Sequence, residues 1–582
     1  MKSNRTFWLL AVMLVFTLFL AACAGDGTGE EEPSTDEDPD TGEEAGEDED
    51  EDAEEDLQTE VDVDGDHVIL AVSSDLVSLD PHGENDVPSS NVRNNIYETL
   101  VYQDEDMEIV EGLATDWEEV DDTTWAFTLR EGVQFHDGTE FTASAVKANL
   151  ERVLDPAMAS PRTFLYEMIE EVSVEGDYEV HITTEYPFAP LLAHLSHDAG
   201  GIISEEAITT DYEQALEEAG YDMSVEEYYE LRAEGGEEFE EVSGEIAEYV
   251  GTYVASNPHG TGYFQLLERV SGEETTLERN EDYWGENALP GAVTFKVIPE
   301  PGARLAELET YNSHIADPIQ PTDVSNVEAL EDAYVNTQES VSLSYIGFNM
   351  EKEPFDDARV RQAINLAVNQ EEIIEGIYDG NGIPALGPLA PDVFGYDEDV
   401  SGLGYEPERA QELLEEAGYG DGFETTLWTN DNEQRVETAL YVQDVLGDYG
   451  IDVEIEELEW GAYLDRTSNG EHDMFVLGWS TVTGDADYGL YSLFHSSAHG
   501  STGNRSFVDD PELDELLDAG RREGDPEARQ EIYSEVQELL TEIAPMLYVH
   551  HQNYLTGVRE EVDGFWVDAL GIYQLKDVTI ND

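Results

Sequence analysis

Pro354-Phe355-Asp356-Asp357-Ala358-Arg359-Val360-Arg361-Gln362-Ala363, continued to Val368, carries the first firm structural signal in the chain. Asp356 or Asp357 can accept the free backbone N–H groups that open a helix. Val360, Ala363, Ile364, Ala367 and Val368 then recur at the spacing that gathers them on one helical face. Two further stretches repeat the pattern. Pro407 suits a first helical position, Ala410, Leu413, Leu414 and Ala417 form one face, and Gly418 suits the stop. Asp525-Pro526 opens a third helix, with Ile532, Val536, Leu539, Leu540 and Ile543 inside and Pro545 ending it. Strands are interspersed: His67 to Ser73 reads as an opening strand, and Trp125 to Leu129 as another, closed by a turn at Arg130-Glu131-Gly132. A mixed α/β protein follows. No internal repeat or second linker divides it, so several hundred residues fold as interlocked lobes or as domains joined by short crossings.

Of the 582 residues 40% are hydrophobic and 10% aromatic, ample for a large core, so wholesale disorder is excluded. Asp and Glu number 137 against 24 Lys and Arg, a formal charge of -113. Such a surface repels phosphate backbones, and nucleic acid is excluded as a partner. The acidity spreads over the whole body, which repels itself unless salt screens it; the Debye length falls to about 3 Å at 1 M. A host with a very salty environment is the simplest reading. Lysines are scarce (Lys2, Lys147, Lys296, Lys352 and Lys576), so each arginine is more informative than usual.

Lys2 and Arg5 precede an apolar run from Phe7 to Leu20, then small residues and Cys23, the only cysteine. The run is shorter than the roughly 20 residues a membrane span needs, and the order is that of a secretory signal. Leu20-Ala21-Ala22-Cys23 resembles a bacterial lipobox, which implies a signal peptide over 1–22 and a lipidated Cys23. Residues 23–56 are mostly Asp, Glu, Gly, Thr, Ser and Pro and read as an acidic disordered tether, spanning roughly 35 Å as a flexible chain.

Enzyme signatures fail in turn. There is no Gly-Lys pair for a phosphate loop, no His-Glu-x-x-His, no paired-cysteine metal spacing and no Gly-x-Ser-x-Gly elbow. His136-Asp137-Gly138 and His550-His551 lack a second ligand cluster and read as turn or strand residues. No metal, cofactor or catalytic residue is expected.

Several stretches are nevertheless distinctive: Leu79-Asp80-Pro81-His82, Gly112-Leu113-Ala114-Thr115-Asp116-Trp117, Leu129-Arg130-Glu131-Gly132-Val133-Gln134-Phe135-His136-Asp137-Gly138, Gly260-Thr261-Gly262-Tyr263-Phe264, Asn280-Glu281-Asp282-Tyr283-Trp284, the Pro354 to Ala363 segment, Gly478-Trp479-Ser480 and Arg529 to Pro545. Together they resemble the family 5 extracytoplasmic solute-binding proteins, which serve ABC importers of dipeptides, oligopeptides, glutathione and nickel chelates. The resemblance covers about residues 66–582 in order; from Ile208 to Asn257 the chain looks longer and more acidic than usual. It implies a two-lobed fold of the large class II periplasmic-binding type that closes on its ligand like a hinged trap. By motif, the first lobe takes 57–97, 202–317 and 551–582, an inserted extra domain 98–201, and the second lobe 318–550. Trp117, Trp125 and Phe135 read as core.

The segment after Trp479 carries the ligand information. In peptide binders of this family an Asp placed where this chain has Val482 commonly holds the ligand's ammonium. Here the sequence runs on through Thr483-Gly484-Asp485-Ala486-Asp487-Tyr488, resembling glutathione or short-peptide binders, with Asp485 the natural replacement and Asp487 behind it. A helix-capping role for Asp485 is the alternative. Arg162, Arg505 and, behind them, Arg93 are the candidates for ligand carboxylates, because a guanidinium fork matches a carboxylate.

These readings converge on a lipid-anchored receptor in the cell envelope, expected to be a monomer, that captures short peptides or glutathione and delivers them to ABC permease subunits with their ATPases. A nickel-chelate or other small-solute binder is the rival within the fold; a secreted hydrolase and a sensor without transport are rivals outside it. The charge generates its own prediction. Because self-repulsion is screened by salt, the melting temperature should rise from low to molar salt; a melting temperature indifferent to salt would overturn the halophilic reading.

Overall fold

Met546–Arg559 is rich in aromatic and β-branched residues and forms one 14-residue strand, long enough to serve two sheets. The structure is a computed structural model that describes residues 63, 65–84, 86–105, 107–500 and 503–581; the signal segment, Cys23 and the tether lie outside the described residues. The first half of the long strand pairs antiparallel with Ser342–Phe348 and Gly382–Pro384, and its second half with Ile315–Asp317 and Ala333–Glu339. The ladder passes from one sheet to the other between Gln552 and Asn553. On one side the order continues through Ile315–Asp317, His67–Val72, Ala292–Val297, Glu274–Arg279 and Phe264–Val270; on the other through Ser342–Phe348, Met474–Ser480, Glu424–Thr429 and Asp452–Glu457. These sheets are the cores of two lobes, and the mixed α/β reading holds.

Both faces of the second sheet are covered. Leu343 and Tyr345 point into one apolar cluster, while Ile346 and Phe348 point into another, as the two-residue period of a strand requires. The helices read from sequence are its covers. Ala358–Ala367 is capped by Asp357, Pro407–Ala417 stops at Gly418 in the left-handed region (φ 92°), and Pro526–Ile543 starts under an Asp525 cap. His550 and His551 are buried within the long strand. The outgoing crossing follows Glu339, because Ala333–Glu339 still pairs with the first-lobe half of the shared strand. The expected boundary at 318 therefore falls inside the first sheet's territory; two strands of one antiparallel ladder leave no compositional step between them.

The inserted domain carries a four-stranded antiparallel sheet, Ala114–Asp121, Thr124–Leu129, Glu179–Thr184 and Ile169–Gly176, packed with the helix Ala143–Val153 over Phe127, Val146, Leu150 and Ile182. Phe135 is buried there and Trp117 and Trp125 pack half-buried against it.

Residues 205–256 form four helices, Glu205–Glu218, Val225–Glu234, Glu237–Ile246 and Thr252–Ser256, whose Tyr212, Tyr228, Ile246 and Val254 enter the first-lobe core. Two buried ionic clusters fix them. Arg152 donates to both oxygens of Asp80 (2.9 and 2.6 Å) and to Asp211 (3.2 Å), which also receives the N–H groups of Gly251 and Tyr253. Asp155 accepts from Tyr212 and Tyr228 at 2.9 Å and from Arg232 at 3.1 Å. Removing one partner of a buried cluster leaves the others desolvated and unpaired, at a cost of about 3 kcal/mol or more. Asp155→Ala should thus lower the denaturant midpoint in molar salt by that equivalent and expose 205–256 to protease; an unchanged midpoint would show that the clusters do not hold the insert.

Candidate ligand site

Between the inserted domain, the first-lobe tail and the loop after Trp479 lies a cavity of about 470 Å³, within the range of small-ligand sites. The tail reaches it through a hairpin, Trp566–Val567 against Tyr573–Gln574. Glu98 and Arg162 come from the inserted domain, Val482 from the second lobe, and Asp568 and Lys576 from the first lobe. Cations and carboxylates thus share one wall system, with Val482 and Met107 supplying apolar surface.

The charged groups differ in how far they are satisfied. Glu98 is buried and accepts from Thr261 (2.7 Å), Tyr283 (2.8 Å) and the Trp284 indole (2.8 Å); burial raises its pKa against the pull of those donors. The ammonium of Lys576 stands 5.2 Å from the Tyr283 ring and 5.8 Å from that of Tyr263, and its charge is one of the influences that pull the Glu98 pKa down. Trp479 ends the strand Met474–Ser480, and its ring lies 5.5 Å from Tyr488, which lies 5.9 Å from Phe164 of the inserted domain. The Trp479 indole N–H is buried without a hydrogen-bond partner.

Asp485 and Asp487 are engaged elsewhere. Asp485 caps the helix Ala486–Phe494 by accepting from the Asp487 N–H, and both its oxygens receive Arg529 at 2.6 Å. The capping alternative is what the geometry shows, and the carboxylate is directed into the second lobe. Asp487 holds Arg521 through contacts of 2.9 and 3.0 Å. Neither arginine lies near its partner in sequence, so the pairing had no local signal. Arg93 is likewise internal: it donates to Asp198 at 2.5 Å, to Ser90 and to the Asp80 carbonyl. Arg162 does line the cavity. Arg505 is buried in the second lobe and absent from the cavity wall; its backbone carbonyl accepts from His472, and its charge acts on the buried Tyr345 and Tyr463.

Arg435 escaped the sequence reading. It sits in the first turn of Glu433–Gly447, half-buried, bonded to the Asn430 side-chain oxygen at 3.1 Å and 5.5 Å over the Trp460 ring. One of its nitrogens lies 3.5 Å from where a Cβ on Gly478 would sit, one residue before Trp479. Among the described residues no carboxylate pairs with it. The only clue in the sequence is scarcity: most cations here are matched to acids, and those that are not stand out.

The inserted domain grips the second lobe. Gln103 donates to the Thr483 carbonyl at 2.8 Å, the Ala189 N–H donates to the Arg521 carbonyl at 3.0 Å, and Arg522 lies over Tyr186. These contacts join the inserted domain to the second lobe.

The Asp485 clamp is open to test. Asp485→Asn keeps a cap acceptor but leaves the buried Arg529 uncompensated, so unfolding free energy should fall by about 3 kcal/mol in denaturant titrations. A variant as stable as the parent would show that the clamp is not structural.

Comparison with known proteins agrees with this architecture. The glutathione-binding protein GsiB of Salmonella typhi is 30% identical over 510 residues, 86% of this chain and 92% of its own. The dipeptide-binding protein of Escherichia coli K12 is 30% identical over 500 residues, 81% of this chain and 86% of its own. The periplasmic binding protein DppA from Helicobacter pylori, solved in complex with the peptide STSA, is 29% identical with a TM-score of 0.71, over 89% of this chain and 99% of that one. Residues 108–501 match the model of the bacterial extracellular solute-binding proteins, family 5, and the chain belongs to that family.

Proposed function

We propose that the protein is an extracytoplasmic receptor that captures short peptides or glutathione and passes them to an ABC permease and its ATPases. The observation that carries this reading is the cavity with both signs of charge on its walls. A zwitterionic ligand needs a cation for each carboxylate and an acceptor for its ammonium, and little room beyond that. Arg162 and Lys576 on its wall are suited to carboxylates. Val482, Met107 and Leu570 supply an apolar boundary that tolerates varied side chains. The relatives named for glutathione and dipeptides point the same way.

The ligand is bound and released unchanged in this reading. The receptor works as a monomer, tethered by a lipidated Cys23 through residues 23–56 in a salty medium, and the lobe and insert boundaries follow the sequence assignment except at the crossing after Glu339.

Calorimetry against glutathione, dipeptides, a nonapeptide and a nickel–histidine chelate tests the proposal, together with mass spectrometry of ligand recovered after long incubation. Glutathione or a dipeptide should bind one to one and return intact. Lys576→Ala should weaken binding about tenfold or more, the loss of one charge-assisted hydrogen bond. Binding of the chelate alone, or cleavage of the peptide, would overturn the reading.

A further inference from the structure

The second-lobe loop that faces the cavity presents Val482, and its two nearby carboxylates, Asp485 and Asp487, are held by Arg529 and Arg521. The loop therefore supplies no carboxylate free of a cation. The other carboxylates of the cavity divide into three kinds. Glu98 already has three side-chain donors, and Asp198 is paired with Arg93 and with His197 at 2.9 Å. Asp104, Glu105 and Asp577 are exposed to bulk water, where an ion pair contributes little. Asp568 belongs to neither group.

Asp568 closes the hairpin of the first-lobe tail. Its Oδ1 accepts the backbone N–H groups of Leu570 and Ile572, both at 2.9 Å, whereas its Oδ2 has only the Gln574 amide at 3.1 Å. A carboxylate offers about four acceptor positions, so Oδ2 keeps capacity on a residue that lines the cavity. No lysine or arginine pairs with it among the described residues, and burial pushes its pKa up to about 6, the mark of a carboxylate lacking a cation. The hairpin is fixed in place: the Ala569 carbonyl accepts from the Val341 N–H at the crossing between the lobes, and the Leu570 carbonyl accepts from Tyr554.

We propose that Asp568 receives the ammonium group of the ligand, so that the first-lobe tail, and not the loop after Trp479, reads the amino end. This rests on the reading of the cavity as a site for short peptides or glutathione. Hairpin closure alone would explain the two contacts to Oδ1, but it gives no reason for an ionised group at the cavity wall without a cation.

Asp568→Asn separates the two roles. The asparagine oxygen can still accept from Leu570 and Ile572, so the thermal melt should match the parent, while the charge is lost. Glutathione and the dipeptide Ala-Leu, each with a free and an acetylated amine, are titrated into the parent, Asp568→Asn and Asp485→Asn. Asp568→Asn should weaken binding of the free-amine ligand about tenfold or more. Acetylation should penalise the parent and Asp485→Asn alike, and Asp568→Asn much less. An equal acetylation penalty in all three proteins would overturn the assignment while leaving the receptor reading intact. Failure of the parent to bind either free-amine ligand would overturn the receptor reading and this assignment with it.

Discussion

One strand hydrogen-bonded into two sheets is the constraint from which the rest of the architecture follows. Met546–Arg559 commits its first half to the second lobe and its second half to the first, so neither sheet can shift along it without breaking a ladder. Relative motion is confined to a bend near Gln552 and to the companion crossing at Ser340–Ser342, where Ser340 accepts from the Ser342 N–H and donates to the Gln552 carbonyl. Two neighbouring crossings make a hinge. The hairpin carrying Asp568 is docked beside it through Val341, which places a charged wall of the cavity close to the axis about which the lobes would open.

Charge scarcity organises the interior as tightly as the ladders do. With 24 basic residues against 137 acidic ones, cations are scarce relative to the carboxylates they could pair with. Most described arginines sit on a carboxylate: Arg152 on Asp80 and Asp211, Arg232 on Asp155, Arg521 on Asp487, Arg529 on Asp485. Arg304 and Arg361 instead donate to backbone carbonyls. Against that rule, Arg435 is held by the Asn430 amide and Lys576 lies against the Tyr283 and Tyr263 rings, with its charge acting on Glu98.

The parts of the fold legible in the sequence are those governed by local rules. Helix caps, proline starts, a glycine stop and strand alternation were readable because each depends on residues a few positions apart, and Asp357, Pro407, Gly418 and Asp525 do what their chemistry dictates. What could not be read depends on residues far apart. Asp485 and Arg529 are 44 positions apart on different helices, and the sequence around Asp485 is compatible equally with a cap and with a ligand contact. The helices of 205–256 carry weak signals because acids occupy most exposed positions, and their docking depends on Asp155 and Arg152 from another segment. Cavity residues such as Lys576 and Asp568 belong to the last stretch of chain, where no periodic pattern announces a site.

A ligand can hold a trap shut only by as much as it binds the closed form better than the open one. Contacts confined to one lobe would persist on opening and contribute nothing to that difference. The wall of this cavity is drawn from separate parts of the protein, Lys576 from the first lobe, Arg162 from the inserted domain and Val482 from the second lobe, so a ligand that fills it touches parts that part company when the lobes open. The protein's own contacts between the inserted domain and the second lobe are the Arg522–Tyr186 and Tyr488–Phe164 ring contacts together with neutral hydrogen bonds, Gln103 to Thr483 and Ala189 to Arg521, each of these bonds contributing on the order of 1 kcal/mol. Charge-assisted bonds to a bridging ligand are stronger than these. Closure that lasts long enough to be recognised by a permease is then controlled chiefly by the ligand, which is the property a delivery receptor requires.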